Sequence, residues 1–282
     1  MDAFLAAHRH GCQMLEMDVQ LSKEGQCVVF HDDTLLRASV TNDARVVREV
    51  SVNELKDIPL RHRPENMFEL STIPNDEPSS ARIPLLEDIL SSFGHRMALH
   101  IDVKAGGSAL IAEVDRLISA HKVEAAIVWG SPFEKQRQAL MSQNASIKTF
   151  ASKQNVTTVF ALWYIGLLPF IPLRWTRIPD YFSVVFPTKP MQRHIHKLIA
   201  GPQPGRVREA AAGVVSRSLA WLLRAPLLYA YLEASGVRVL LWVLNDEEDW
   251  RAMAAEDVRV VTGVMTDRPG EFEAWLHRDR RR

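Results

Sequence analysis

Two charged pairs in this sequence have the spacing that puts both side chains on one face of a strand. Glu16 and Asp18 are two residues apart within Met14–Leu21, where apolar residues alternate with them. Successive side chains of a β-strand point to opposite faces, so the two carboxylates share a face. Two acids facing the interior of a fold need a cation, and hard oxygen ligands favour Mg²⁺ or Ca²⁺ over zinc. The alternative is an exposed edge strand with two solvated acids.

Asp102 and Lys104 repeat this spacing further along the chain. A carboxylate that binds a metal beside an ammonium that binds a phosphate oxygen is one interpretation of the pair. A simple ion pair on one strand face is the other. His31 follows a short apolar run and precedes Asp32, at a strand end where a histidine can protonate a leaving group or merely make a structural hydrogen bond.

Short apolar runs alternate with amphipathic stretches over most of the chain. The candidate strands are Met14–Leu21, Cys27–Phe30, Met97–Val103, Ala125–Trp129, Ile147–Phe150, Tyr181–Phe186, Val237–Val243 and Val258–Val264, and the candidate helices are Leu85–Phe93, Leu110–His121, Phe133–Gln143, Leu227–Ser235 and Glu247–Ala254. This order is typical of βα units with a parallel sheet, and seven or eight units favour an α/β TIM barrel. The stretches Arg61–Arg82 and Gly201–Arg208 are predicted to be loops. Because the alternation resumes after each, a single domain over residues 1–282 is predicted.

Composition excludes several classes of protein. The 282 residues carry 34 Lys and Arg against 34 Asp and Glu, and a zero net charge gives no long-range attraction for nucleic acid or for an anionic membrane. No nucleic-acid partner is therefore expected. The two cysteines, Cys12 and Cys27, exclude a disulfide scaffold. The first residues contain no apolar run of signal-peptide length.

The stretch Val156–Leu173 is unusual because it is apolar and uncharged. It approaches the roughly 20 residues of a membrane span, but Gly166, Pro169 and Pro172 interrupt it. One interpretation is a buried helix of the barrel. The other is an apolar lip that contacts a membrane surface or an acyl chain.

Taken in order, these features resemble the glycerophosphodiester phosphodiesterase family, whose fold is a TIM barrel. The motifs are Glu16-x-Asp18, His31-Asp32, Asp102-x-Lys104, Trp242…Asn245 and Gly263…Thr266-Asp267-x-Pro269. The runs IPLLEDIL, HIDVK, IVWG, GLLPFIPLRW and LLWVLNDEED are similar to the lysophospholipase D branch of that family. That branch is membrane-associated and hydrolyses lysoglycerophospholipids and N-acyl ethanolamine lysophospholipids.

The resemblance implies a role for each site residue. Glu16, Asp18 and Asp102 would bind a divalent metal, Mg²⁺ or Ca²⁺, although many family members have Glu at the Asp102 position. His31 would be one of two catalytic histidines, the general acid for the leaving alcohol. Lys104 would contact the phosphate, and Trp242 would shape the substrate pocket. The implied location is membrane-associated and intracellular, at the endoplasmic reticulum or cytoplasmic membranes.

The sequence departs from the family pattern before Glu16. The family barrel begins with His-Arg-Gly and then Glu-Asn-Thr, which supply the other histidine and a metal-binding Glu, and neither motif is present here. His8-Arg9-His10-Gly11 lies too close to Glu16 to replace them. The expectation is a barrel without its first strand and with little or no activity. The alternatives are a lipid-binding or regulatory pseudoenzyme, a phosphodiesterase for water-soluble glycerophosphodiesters, and a fragment that does not fold stably.

Overall fold

Helices and strands alternate along the chain in the computed structural model, which describes residues 1–63, 75–78, 81–104, 106–173, 179–202, 205–255 and 261–279. The strands are β1 (Met14–Leu21), β2 (Cys27–Val29), β3 (Arg61–Arg63), β4 (Asn75–Pro78), β5 (Ala98–Val103), β6 (Ile127–Gly130), β7 (Lys148–Thr149), β8 (Tyr181–Val185), β9 (Arg238–Trp242) and β10 (Gly263–Val264). The helices are α1 (Asp2–Arg9), α2 (Val52–Asp57), α3 (Leu86–Phe93), α4 (Gly107–His121), α5 (Glu134–Gln143), α6 (Lys153–Tyr164), α7 (Lys189–Ala200), α8 (Arg206–Leu223), α9 (Pro226–Ala234), α10 (Glu247–Ala255) and α11 (Pro269–Asp279). The described residues fall into two compact units that divide between Phe182 and Ser183.

The first unit is built on a five-stranded sheet in the order β2-β1-β5-β6-β7. Strands β1, β5, β6 and β7 are parallel, whereas β2 forms an antiparallel hairpin with β1. Gly25 allows the tight turn of this hairpin because its φ of +79° is a conformation that side chains with a Cβ rarely adopt. A parallel bridge from Phe150 to Tyr181 continues the pattern beyond β7.

The alternation along β1 and β5 separates an apolar face from a polar one. Leu15, Met17 and Val19 are buried in one core cluster with Leu99 and Ile101, and residues of α3 and α4 belong to the same cluster. Burying each such side chain contributes about 1.5–3 kcal/mol. The opposite face of the same strands carries Glu16, Asp18 and Asp102, so packing of the apolar face fixes the side on which the acids lie.

The second unit contains a three-stranded sheet in the order β10-β9-β8, in which β9 and β10 are parallel. Helix α7 begins after Thr188, whose hydroxyl accepts a hydrogen bond from the Met191 backbone N–H. Such a cap satisfies one of the free N–H groups at a helix start and is worth about 1 kcal/mol.

Most of the predicted strands and helices are confirmed, and two predicted loops are wrong in part. The stretch Arg61–Arg82 contains the short antiparallel pair β3 and β4, and α8 begins at Arg206, inside the predicted loop Gly201–Arg208. Of the predicted strand Val258–Val264, residues 258–260 lie outside the described part and β10 begins at Gly263.

The apolar stretch Val156–Leu173 contains both buried and exposed side chains. Val159 and Leu168 are fully buried, whereas Ile165 is 65% exposed and Phe170 is 82% exposed. Helix α6 ends at Tyr164, and a 3-10 turn over Leu168–Phe170 follows it. Within the described ranges, every helix is too short or too polar to cross a bilayer.

Candidate active site

Asp18 and Asp102 lie opposite each other on the neighbouring strands β1 and β5. Lys104 connects them, because its Nζ lies 2.6 Å from Asp18 Oδ1 and 3.2 Å from Asp102 Oδ2. Glu16 lies on the same face one pleat earlier, in register with His100, and is more exposed than the two aspartates. The structure therefore brings Asp18, Asp102 and Lys104 into direct contact and leaves Glu16 on the adjoining part of the same face.

Burial sets the electrostatics of this group. Desolvation raises the pKa of Asp102 to about 6, and the nearby charge of Asp18 adds to the effect while Lys104 opposes it. Burial alone would lower the pKa of Lys104, but the two carboxylates outweigh it and raise that pKa above its ordinary value. Lys104 is therefore held as a cation between two acids.

His31 is held by a chain of charged hydrogen bonds. Its Nδ1 lies 2.6 Å from Asp32 Oδ1, and Arg37 donates to the same carboxylate from Nε at 2.6 Å. The bond to Asp32 raises the pKa of His31 above its usual 6.5, against an opposing effect of burial. For Asp32, burial is outweighed by the hydrogen bonds from His31 and Arg37, so its pKa lies well below the ordinary range. This arrangement stabilises the imidazolium form of His31 relative to a free histidine.

Two glutamines that the sequence analysis did not identify position these groups. Gln20 on β1 donates its side-chain amide to the carbonyls of Phe30 at 2.9 Å and Asp32 at 2.8 Å, on either side of His31. Gln136 on α5 donates to the carbonyls of Val103 at 3.0 Å and Lys104 at 2.5 Å. A single glutamine has no pattern that predicts such a contact, although Gln20 could have been noticed as a polar residue next to the buried Val19.

Other histidines near these strands do not have the geometry of acid–base groups. His100 is buried, stacks on Phe150 with ring centroids 4.4 Å apart, and has its pKa lowered to about 4 by desolvation. It is neutral at physiological pH. His8 belongs to α1 and lies edge-on to Phe93, a residue of the apolar core cluster.

The polar face fits a divalent cation in its ligand chemistry. Oδ1 of Asp102 is buried and has no hydrogen-bond partner among the described residues, which leaves a carboxylate oxygen available beside Asp18. Hard carboxylate oxygens are the ligands that Mg²⁺ and Ca²⁺ use. In the part of the chain that is described, no three His, Cys, Asp or Glu side chains are close enough together to hold a metal. Asp18 and Asp102 are thus available as a pair, with Glu16 farther out on their face.

The remaining motif residues lie in the second unit. Trp242 is the last residue of β9 and is half-buried, and its carbonyl accepts a hydrogen bond from Phe186 N–H at 2.9 Å. Asn245 donates to Asp267 Oδ2 at 2.8 Å and accepts from the Asp267 backbone N–H at 2.8 Å. The Asn245 and Asp267 motif therefore joins the ends of β9 and β10, which is a structural role.

A family model for the glycerophosphoryl diester phosphodiesterase family matches residues 1–271 of this chain. The chain belongs to this family. Human lysophospholipase D GDPD1 is 31% identical over 280 residues, which cover 98% of this chain and 81% of that protein. As a member of this family, the chain is a phosphodiester hydrolase.

Solved structures of family members share the fold. A phosphodiesterase domain from Mycobacterium tuberculosis superposes with a TM-score of 0.64 at 13% identity, covering 97% of this chain and 92% of that one. A phosphodiesterase from Oleispira antarctica, in complex with the product sn-glycerol-3-phosphate, gives a TM-score of 0.58 at 16% identity over 98% and 89% of the two chains. These similarities confirm the predicted fold class, that of the TIM-barrel phosphodiesterases.

Proposed function

We propose that this chain is a metal-dependent phosphodiesterase for lysoglycerophospholipids, including N-acyl ethanolamine lysophospholipids, and that it releases lysophosphatidic acid and an alcohol. The observation that carries the proposal is the His31–Asp32–Arg37 chain beside the carboxylate pair that Lys104 connects. The backbone N–H of Phe30, the residue before His31, donates to the carbonyl of Asp18 at 2.9 Å, which ties the two groups together. The similarity to human lysophospholipase D supports the substrate class.

His31 acts as the general acid in this proposal. Its Nδ1 is engaged by Asp32, so Nε2 is the atom that gives a proton to the leaving alcohol oxygen as the P–O bond breaks. The raised pKa of His31 favours the protonated form that a general acid needs. Arg37 and Gln20 both donate hydrogen bonds to Asp32 and so fix the backbone and side chain next to His31. This reduces the entropy that is lost when the His31 ring is oriented toward the leaving oxygen.

Lys104 and the carboxylates bind the phosphate end of the substrate. Asp18 and Asp102 would hold a divalent cation, Mg²⁺ or Ca²⁺, with Glu16 as a third ligand only if its side chain moved toward the pair. Such a cation would supply positive charge that polarises the phosphate oxygens. The Lys104 ammonium would donate to a phosphate oxygen of the substrate. By the family resemblance, Trp242 would shape the substrate pocket.

The apolar lip, which we define as Tyr164–Ile171, accounts for a lipid substrate. Ile165, Leu167 and Phe170 are exposed in it, and Phe170 has most of its side chain in solvent. Exposed aliphatic and aromatic groups of this kind suit an acyl chain or the edge of a membrane. We therefore place the enzyme at intracellular membranes, with the membrane surface as a partner.

A head-group release assay tests the reaction. The purified chain is incubated with lysophosphatidylcholine, and separately with glycerophosphocholine, in chelator and after addition of Mg²⁺ or Ca²⁺, and free choline is measured. Because the family's second catalytic histidine and its metal-binding Glu have no counterpart before Glu16, we expect metal-dependent release that is weak. It should fall further, by about a hundredfold, in His31→Gln and be unchanged in His95→Gln, an exposed histidine on another surface. Choline release that is equal in chelator and metal contradicts metal dependence.

The same assay separates the alternatives. Hydrolysis of glycerophosphocholine alone would make the chain a phosphodiesterase for water-soluble diesters. Binding of lysolipid without turnover would make it a lipid-binding pseudoenzyme, a reading favoured by Lys104, which already neutralises both aspartates. Phe170→Ser distinguishes the lipid role of the lip, because it should lower turnover of lysophosphatidylcholine and leave glycerophosphocholine turnover unchanged.

A further inference from the structure

A second apolar surface lies in the other compact unit, on helix α8. Ala212, Gly213, Ser216 and Ala220 form the buried side of this helix. Val207, Val214, Val215 and Trp221 are all exposed, with Val207 at 85% and Trp221 at 68%. Small residues therefore pack inward while the large apolar residues point to solvent, the reverse of an ordinary surface helix.

The exposed apolar residues are spaced to form a stripe. Val207, Val214 and Trp221 are seven residues apart, which is close to two helical turns, and they lie within about 40° of one another around the axis at 3.6 residues per turn. Val215 widens the stripe on one side. From Val207 to Trp221 the stripe is about four helical turns long. Because the opposite face of the helix is already packed, these side chains have no role in the core.

Arginines run along one edge of this stripe. At about 100° per residue, Arg206 and Arg217 project within about 20° of each other, on the flank next to Trp221. Arg224 follows directly after the last residue of α8, and its guanidinium lies 6.0 Å from the centroid of the Phe186 ring. All three arginines are exposed. Arg206 is at the start of α8, where the helix dipole disfavours a cation, so this arginine does not stabilise the helix through the dipole.

The surrounding sequence is basic although the chain as a whole is neutral. Between Lys189 and Leu227 there are seven Lys and Arg residues and one acid, Glu209. That acid is paired with His196 of α7 through a 2.8 Å contact to Nε2. The segment around α8 therefore carries a net positive charge, although the net charge of the whole chain is zero.

We propose that α8 is an anionic-membrane-binding helix that lies in the bilayer interface, with Val207, Val214 and Trp221 in the acyl boundary and the arginines at the lipid head groups. An exposed apolar stripe flanked by arginines is the pattern of interfacial helices, and tryptophan is enriched at the level of the head groups. Charge complementarity selects an anionic bilayer over a neutral one. This surface is built from other residues than the apolar lip, and the proposal does not depend on the proposed hydrolytic activity.

Vesicle co-sedimentation of the full chain tests the proposal. Vesicles of phosphatidylcholine alone are compared with vesicles that contain phosphatidylserine, at low and at high salt. We expect binding that requires the anionic lipid and weakens with salt, because screening shortens the range of surface charges. Arg206→Gln with Arg217→Gln should weaken binding roughly 25-fold, at about fivefold per arginine near an anionic surface. Arg48→Gln with Lys56→Gln makes the same change of charge on another exposed surface and should have little effect.

The apolar stripe is tested separately. Val214→Ser with Trp221→Ser should reduce binding to the anionic vesicles, whereas Trp221→Phe should retain most of it. Lipids brominated in the acyl chain should quench the fluorescence of the natural chain more than that of Trp221→Phe. Circular dichroism and the thermal midpoint show whether each variant is folded. Equal binding by natural and arginine-substituted chains, or binding that ignores phosphatidylserine, would falsify the proposal, as would concentration-dependent dimerisation through α8 without vesicle binding.

Discussion

Asp18 and Asp102 occupy matching positions on two adjacent parallel strands, so two acids share one side of the sheet at the same height. Lys104, two residues beyond Asp102, supplies the cation that this arrangement needs. The three residues form one electrostatic unit, in which a change to any member alters the others.

Replacement of Lys104 by methionine should destabilise the protein in the presence of chelator. The change leaves two acids facing each other without a cation, at a cost of about 1–3 kcal/mol in the free energy of unfolding. If the carboxylates bind a metal, millimolar Mg²⁺ or Ca²⁺ should recover part of this loss. Urea unfolding with and without metal measures both effects. Lys135→Met, at an exposed position of α5, is the matched control, and a loss that metal does not reduce would contradict the proposed ligand role.

Asp32→Asn should move the pH dependence of hydrolysis. A general acid must be protonated, so activity falls as the pH rises through the pKa of His31, which Asp32 holds above 6.5. Without the carboxylate, the basic limb of the kcat/KM profile should shift to lower pH. The contact between His31 and Asp32 also contributes to the free energy of unfolding. This contribution is present while His31 is protonated and is lost as the pH rises through the raised pKa of His31.

Rate profiles of the natural chain and of Asp32→Asn, together with an NMR titration of the His31 ring, measure this shift. His95→Gln is again the reference for a histidine away from the site. A basic limb that stays in place when Asp32 is neutralised would mean that another group donates the proton.

The sequence predicted which of the candidate site residues share a strand face. Alternation with Leu15 and Met17 placed Glu16 and Asp18 on one face, and the same argument placed Asp102 and Lys104 together. It could not give the register of β1 against β5, because that depends on packing between segments far apart in the chain. This register places Asp18, rather than Glu16, directly opposite Asp102.

Long-range contacts explain most of what was missed. Gln136 reaches the Lys104 carbonyl from a helix that starts thirty residues after β5 ends, and no local pattern indicates such a bond. The loop prediction over Gly201–Arg208 rested on its Pro and Gly residues, and α7 does end at Ala200, just before this stretch. The start of α8 at Arg206 could not be predicted in the same way, because no side chain caps this end of the helix. The apolar stripe of α8 was consequently overlooked.

Gln136→Ala should slow hydrolysis more than it weakens binding. Gln136 does not contact the proposed phosphate position itself; it holds the Val103 and Lys104 carbonyls and thereby the start of the Lys104 side chain. Its loss leaves two carbonyls without this donor, at a cost of about 1 kcal/mol in stability. We expect kcat to fall several-fold with a smaller change in KM.

Steady-state kinetics on glycerophosphocholine or lysophosphatidylcholine, whichever the chain hydrolyses, check this, with Gln143→Ala on the same helix as control. Gln143 donates to Asp115 rather than to β5 or to Glu134, so its replacement should leave kcat unchanged. A Gln136→Ala variant that loses stability but retains kcat would reduce Gln136 to a structural residue.

The ion pair between Arg137 and Glu134 should stabilise helix α5, which carries Gln136. The Arg137 side chain is fully buried and donates to Glu134 from Nε and NH2, each at 2.8 Å, while Ser152 donates to the same carboxylate at 2.6 Å. Arg137→Met leaves a largely buried carboxylate without its cation and should cost about 3–5 kcal/mol. The double variant Arg137→Met with Glu134→Gln removes both charges and should lose clearly less. Urea unfolding of both variants measures the difference, and a double variant less stable than Arg137→Met would mean that Glu134 stabilises α5 through Ser152 rather than through the ion pair.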